Sequence, residues 1–122
     1  MANVWNRFDQ AAEACYEKLE QGQRPLPMWA EAFGIFRSTL EGELKGKMGR
    51  TTLEDLEDST EWNYGFSGFL EDYLDELDFQ KEYATLLETT EFLLRAFSWI
   101  HGDFLDLEEI RLRCKKELEG EK

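Results

Sequence analysis

An all-α fold is what this sequence predicts, on three observations. A single Val and three Ile among 122 residues are too few for a sheet of ordinary size. Only two prolines interrupt the chain, Pro25 and Pro27, and they stand together. The aromatics, 14% of residues, recur at intervals of three and four, the period of one helix face. With 42% apolar residues the chain can fill a core, and its length suits one domain over residues 1–122.

The first helix is expected over residues 3–21. Trp5, Phe8, Ala12, Cys15, Tyr16 and Leu19 share one face, and Gly22 supplies a stop. Pro25 and Pro27 stand where proline suits best, at the entrance of a helix. That second helix, residues 26–45, carries Trp29, Phe33, Phe36, Leu40 and Leu44 as one stripe. Gly42, Gly46 and Gly49 weaken its end, so it frays into a loop before Arg50.

Thr52, followed three residues later by Asp55, forms a capping box for a short helix over residues 53–58. Ser59 and Thr60 then offer an N-cap for a third helix over residues 60–77. Its stripe of Trp62, Phe66, Phe69, Leu70, Tyr73, Leu74 and Leu77 is the sharpest periodicity in the chain, with Glu71, Asp72, Asp75 and Glu76 on the other side. Gly65 and Gly68 each cost roughly 1 kcal/mol of helix propensity against Ala. They imply a closely approaching backbone or a local break.

Asp78 separates this helix from a fourth, residues 79–100, with Phe79, Tyr83, Leu86, Leu87, Leu94 and Phe97 facing inward. So short a junction makes the pair an antiparallel hairpin. Gly102 ends the fourth helix. Asp106 with Glu109 caps a fifth over residues 106–119, with Leu107, Ile110, Cys114 and Leu118 inward and Lys115 and Lys116 suiting the dipole near its end. The architecture expected is an antiparallel helical bundle or a short helical array, with four main helices and one or two short ones.

The net charge of −13 disfavours nucleic acid and anionic membrane surfaces, whose phosphates require clusters of Lys and Arg. Residues 51–94 hold thirteen acidic residues against Lys81 alone, so a basic partner or a cation suits the chain better. No window approaches the roughly 20 apolar residues of a membrane span, and Met1-Ala2-Asn3-Val4-Trp5 does not read as a secretory leader. Cys15 and Cys114 are too few for a disulfide framework or a four-ligand metal site. A cytoplasmic location with reduced thiols is expected.

From Leu53 to Phe97, an acidic short helix precedes Trp62, Phe66, Phe69 and Tyr73, and Asp78-Phe79 opens a further helix. This run resembles a tetratricopeptide-like helix pair. Tyr73 and Phe79 fall at aromatic positions of that repeat and Phe66, Phe69 and Leu86 at its other large ones, whereas Leu70, Glu82 and Thr89 depart from its three small ones. With Tyr16, Leu19, Trp29, Ala32 and Phe33 added, the wider pattern looks like the acidic all-helical proteins of bacteria that accompany tetratricopeptide arrays. Some of those are fused to SEC-C motifs, whose cysteine-rich metal tail does not occur in this sequence. The resemblance implies a helical scaffold that contacts other proteins, and it brings no catalytic residue with it.

No catalytic constellation is visible. A helical di-metal site needs Glu-x-x-His units, but the single histidine, His101, has Ser98 three residues before it. A place at the C-terminal end of the fourth helix suits His101 better. Cys15 and Cys114 lie on stripes expected to be buried, where thiols are inert. Gly65-Phe66-Ser67-Gly68 has no basic residue near it and reads as packing, not as a nucleic-acid clamp. The acidic run from Glu71 to Asp78 sits on a regular helix, whereas calcium wants a loop. No catalytic, cofactor-binding or metal-binding residue is assigned, and no enzyme activity is expected.

What remains is recognition. Tyr64 and Trp99 fall off the main stripes and are the aromatics expected at a surface. The candidate partner site is Tyr64, Glu71, Asp72, Asp75, Glu76, Asp78 and Trp99, centred near Tyr64. The expected partner is another protein with a basic segment, and a homodimer through an apolar end face is a further option. The rival function is an acidic decoy that mimics nucleic acid and fills a basic groove.

Overall fold

In a computed structural model the described residues are 4–99 and 106–120. They form six α-helices and no strand: α1 (Asn6–Glu20), α2 (Leu26–Glu43), α3 (Leu53–Ser59), α4 (Phe66–Phe79), α5 (Tyr83–Ala96) and α6 (Leu107–Gly120). α1 packs on α2, α2 on α4, α4 on α5 and α5 on α6, with the short α3 set against α4. Apart from α4 taking the place of α3 against α2, neighbours in sequence pack on one another. The fold class is the expected one, and the last helix, at 14 residues, is a full member of the array. No helix among the described residues is long and apolar enough to cross a membrane.

Aromatic rings join the first helices to the rest. Trp5 meets Phe66 at 4.7 Å between ring centroids, and Phe8 meets Phe69 edge-on at 5.0 Å and Phe36 at 5.5 Å. Phe33 stacks on Tyr73 at 5.2 Å and touches Phe92 of α5 edge-on at 6.0 Å. Phe8, Phe36 and Phe66 are completely buried. Each such ring contributes roughly 2–3 kcal/mol by leaving water, and favourable ring pairs add roughly 1 kcal/mol. The expected stripe of α2, Trp29 to Leu44, is buried throughout.

Helix ends are set by left-handed residues. Gly22, at φ 78°, closes α1: its N–H donates to the Leu19 carbonyl at 2.9 Å and that of Gln23 to Lys18 at 2.9 Å. The same closure follows α3 and α4, with Glu61 (φ 55°) and Lys81 (φ 60°) in the glycine position. There Trp62 N–H donates to Glu57 at 2.8 Å and Glu82 N–H to Leu77 at 2.9 Å. A side chain in that conformation costs about 1 kcal/mol. Lys81→Gly is therefore expected to raise the unfolding free energy by about 1 kcal/mol in a urea titration, and Gly22→Ala to lower it by a similar amount.

Several expectations are corrected here. α4 begins at Phe66, not near residue 60, because Ser59 and Thr60 finish α3: their hydroxyls donate back to Leu56 at 2.7 Å and Glu57 at 3.1 Å. Trp62 is not core; it sits outside the helix at φ 59° and is 54% exposed. Gly65, left-handed just before α4, marks the break, whereas a side chain at Gly68 would meet open space. The close backbone approach is at Gly49, where a Cβ would lie 3.2 Å from the Arg95 carbonyl.

That approach also ends α5 early. Gly49 N–H donates to Ala96 and Ser98 N–H to Thr51, both at 2.9 Å, which draws Phe97 into an extended conformation. α5 thus stops at Ala96, not near residue 100, and the expected positions of His101 and Gly102 lie outside the described residues. Its start also moves, because Phe79 belongs to α4 and is 66% exposed. The inward face of α5 is rotated accordingly: Thr89, Thr90, Phe92 and Leu93 are buried, while Leu87 and Leu94 are half-buried. The Thr90 hydroxyl donates to the Leu86 carbonyl at 2.7 Å, which lets it sit in the core.

Candidate functional site

Carboxylates fix α4 at both ends. Before its first turn the buried Glu57, 1% exposed, reaches across from α3. Its carboxylate accepts from the N–H groups of Phe66 and Ser67, both at 3.0 Å, and from the Ser67 hydroxyl at 2.8 Å. A negative charge there satisfies orphan donors and complements the positive end of the helix dipole. At the other end Arg113 of α6 donates to Asp78 at 3.0 Å.

Between these anchors the outer side of α4 presents Asp72, Asp75, Glu76 and Phe79, spaced by three and four residues and so on one face. With Leu19 at the end of α1, Arg24 in the following turn and Trp29 of α2, they line a cleft of about 260 Å³. Glu76, expected on the surface, is buried beneath this corner at 6% exposure. It pairs with Arg24 at 3.3 Å and accepts from the Gln80 amide at 2.7 Å, and these partners make its burial tolerable. The Arg24 guanidinium lies over the Phe79 ring, 4.4 Å from its centroid. Tyr16 donates to Asp72 at 2.5 Å and sets its ring edge-on to Trp29 at 5.2 Å. Burial first, and then that bond, hold the Tyr16 phenol above its usual range, so it stays a donor.

Three carboxylates therefore face one guanidinium. Burial, followed by the like charges of Asp72 and Asp78, raises the Asp75 carboxyl above its ordinary range. Such a group binds more protons folded than unfolded, so ionising it subtracts stability as pH rises past its unfolded value. Asp75→Asn is expected to raise the melting temperature at pH 7 in low salt, and the gain to vanish below about pH 3, where both side chains are neutral. Identical melting temperatures at pH 7 would show that neither burial nor the neighbouring charges disfavour the ionised Asp75 in the fold.

Of the sequence candidates, the cleft gathers Asp72, Asp75 and Glu76, with Asp78 engaged by Arg113 beside them and Glu71 exposed outside the lining. Tyr64 and Trp99 are elsewhere. Tyr64 is half-buried against Phe66, at 5.7 Å, before a helix about 20 Å long whose far end forms the cleft. Trp99 is half-buried, donates to the Leu93 carbonyl at 2.8 Å and packs on Phe97. Leu19, Arg24, Trp29 and Phe79 were not among those candidates. Burial pushes the Cys15 thiol up to about 11, with Glu31 adding to the effect, and burial also raises Cys114. Neither is poised as a nucleophile.

Fold and cleft together define an all-α protein with an acidic, aromatic-lined corner. Comparisons with family models, curated proteins and solved structures return no match for this chain.

Proposed function

We propose that this protein acts by binding another protein, taking a basic segment of it into the cleft at the end of α4, with no catalysis of its own. The observation that carries this reading is the imbalance of three carboxylates to one guanidinium around a concave surface with an exposed aromatic. An uncompensated anionic corner steers a cationic segment toward it, and Phe79 adds contact area. The cleft's size narrows the occupant further: about 260 Å³ falls just short of the roughly 300–1,000 Å³ of small-molecule sites and suits one side chain. The tetratricopeptide-like pattern from Leu53 to Phe97 agrees with a binding scaffold. Two free, buried cysteines agree with a cytoplasmic setting.

The test is capture by immobilised wild type beside an Asp72→Lys, Asp75→Lys variant of equal thermal stability. A partner retained by wild type, released by moderate salt and lost by the variant supports the reading. Equal capture by both proteins would remove it. A captured nucleic-acid-binding protein that DNA displaces would favour the decoy that mimics nucleic acid instead.

A further inference from the structure

The cleft already holds a cation of the chain's own. Arg24 enters from the α1–α2 turn, lays its guanidinium over Phe79 and brings Nε within 3.3 Å of Glu76. Resting on the reading of this cleft as a docking point, we infer that its occupant is an arginine side chain of the partner, and that Arg24 is a stand-in which that arginine displaces.

Shape selects arginine. A planar guanidinium stacks on a ring and offers a fork of donors to carboxylates, whereas an ammonium presents neither plane nor fork. Phe79 is 66% exposed, so its ring is accessible to such a group.

Charge leaves room for it. Tyr16 occupies Oδ2 of Asp72, which leaves Oδ1. Asp75 makes no ion pair or hydrogen bond among the described residues, and it is held against the like charges of Asp72 and Asp78. A guanidinium in the cleft would relieve that repulsion while pairing Asp75.

Arg24 is held loosely enough to yield. Its side chain is 48% exposed and reaches Glu76 through one nitrogen, not through a two-pronged fork. Its partner Glu76 is buried, so the arriving guanidinium must take over that pairing as Arg24 turns out to water. Glu76 keeps its hydrogen bond from Gln80 when Arg24 swings away. The resident side chain acts as a competitor that lowers the fraction of open clefts, and with it the apparent affinity for the arriving arginine.

The experiment is an NMR titration of the isotope-labelled whole chain with acetyl-Gly-Arg-Gly-amide and its lysine and citrulline counterparts, read at the amides of Asp72, Asp75 and Phe79. Wild type should bind the arginine peptide best, lysine more weakly and neutral citrulline not at all. Arg24→Ala, with an otherwise unchanged spectrum, should bind the arginine peptide about fivefold more tightly, as removal of an internal competitor requires. Asp72→Asn, Asp75→Asn should lose the response. Unchanged or weaker binding by Arg24→Ala, with wild type still binding, overturns displacement and leaves the docking reading standing. Lysine binding as tightly as arginine overturns the choice of arginine. Failure of every peptide with both proteins removes the docking reading and this inference together.

Discussion

Glu57→Ala is expected to destabilise the protein by about 3 kcal/mol, from the loss of a buried charged cap and the stranding of its donors. The carboxylate closes three donors at the start of α4, two backbone N–H groups and the Ser67 hydroxyl, at a site 1% exposed. Water cannot easily replace it there. Since a chain of this size has roughly 6–18 kcal/mol in total, the loss is a large fraction of its stability. Glu57→Gln keeps the shape and one strong acceptor, so about half the effect is expected. Ser67→Ala removes only the hydroxyl and should cost about 1 kcal/mol. Urea unfolding of the three variants checks the order. A loss below about 1 kcal/mol for Glu57→Ala would mean that solvent reaches the helix end after all.

Phe8→Ala should be at least as damaging, by about 3–5 kcal/mol. Phe8 lies where α1, α2 and α4 converge, with rings of Phe36, Phe66 and Phe69 at 5.5, 5.5 and 5.0 Å. Truncation leaves a hole lined by aromatic faces that are themselves wedged against one another, so collapse is restricted. Trp62→Ala is the contrasting case. Its indole is 54% exposed and its N–H donates to Asp58 at 2.7 Å, so a change within about 0.5 kcal/mol is expected. If calorimetry found the two substitutions equally costly, the division between core and surface aromatics would be misplaced.

That division shows where the sequence was legible. The capping box of α3 forms as read, with Asp55 N–H donating to the Thr52 hydroxyl at 3.0 Å and Thr52 N–H to Asp55 at 3.3 Å, because all its parts lie within one turn. The stripe of α2 is buried as read, because helical period alone decides it. Trp62 fits the same period as Phe66 and Phe69, but Glu61, Trp62 and Gly65 adopt left-handed conformations that period cannot foresee. Glu57 reads as one more acid in an acidic run; its role depends on a chain reversal that brings Phe66 and Ser67 to it.

The cleft divides in the same way. Asp72, Asp75 and Glu76 share a face by spacing and were legible together. Phe79 was assigned to the wrong helix because the stop depends on Lys81, a non-glycine residue at φ 60°. Arg24 lies in an aperiodic turn, and nothing in its neighbours announces that it crosses to Glu76. Tyr64 and Trp99 do fall off the stripes, yet their rings still fold back on Phe66 and Phe97.

The succession of neighbours, α1 on α2, α2 on α4, α4 on α5 and α5 on α6, also bears on how the chain folds. Most pairings close only a short stretch of backbone, so little loop entropy opposes each step. Contact order is consequently low, and refolding belongs in the microsecond-to-millisecond range of helical domains. Of the residues of α6 only Leu107 and Cys114 are buried, so its amides should be among the earlier helical ones to exchange with solvent.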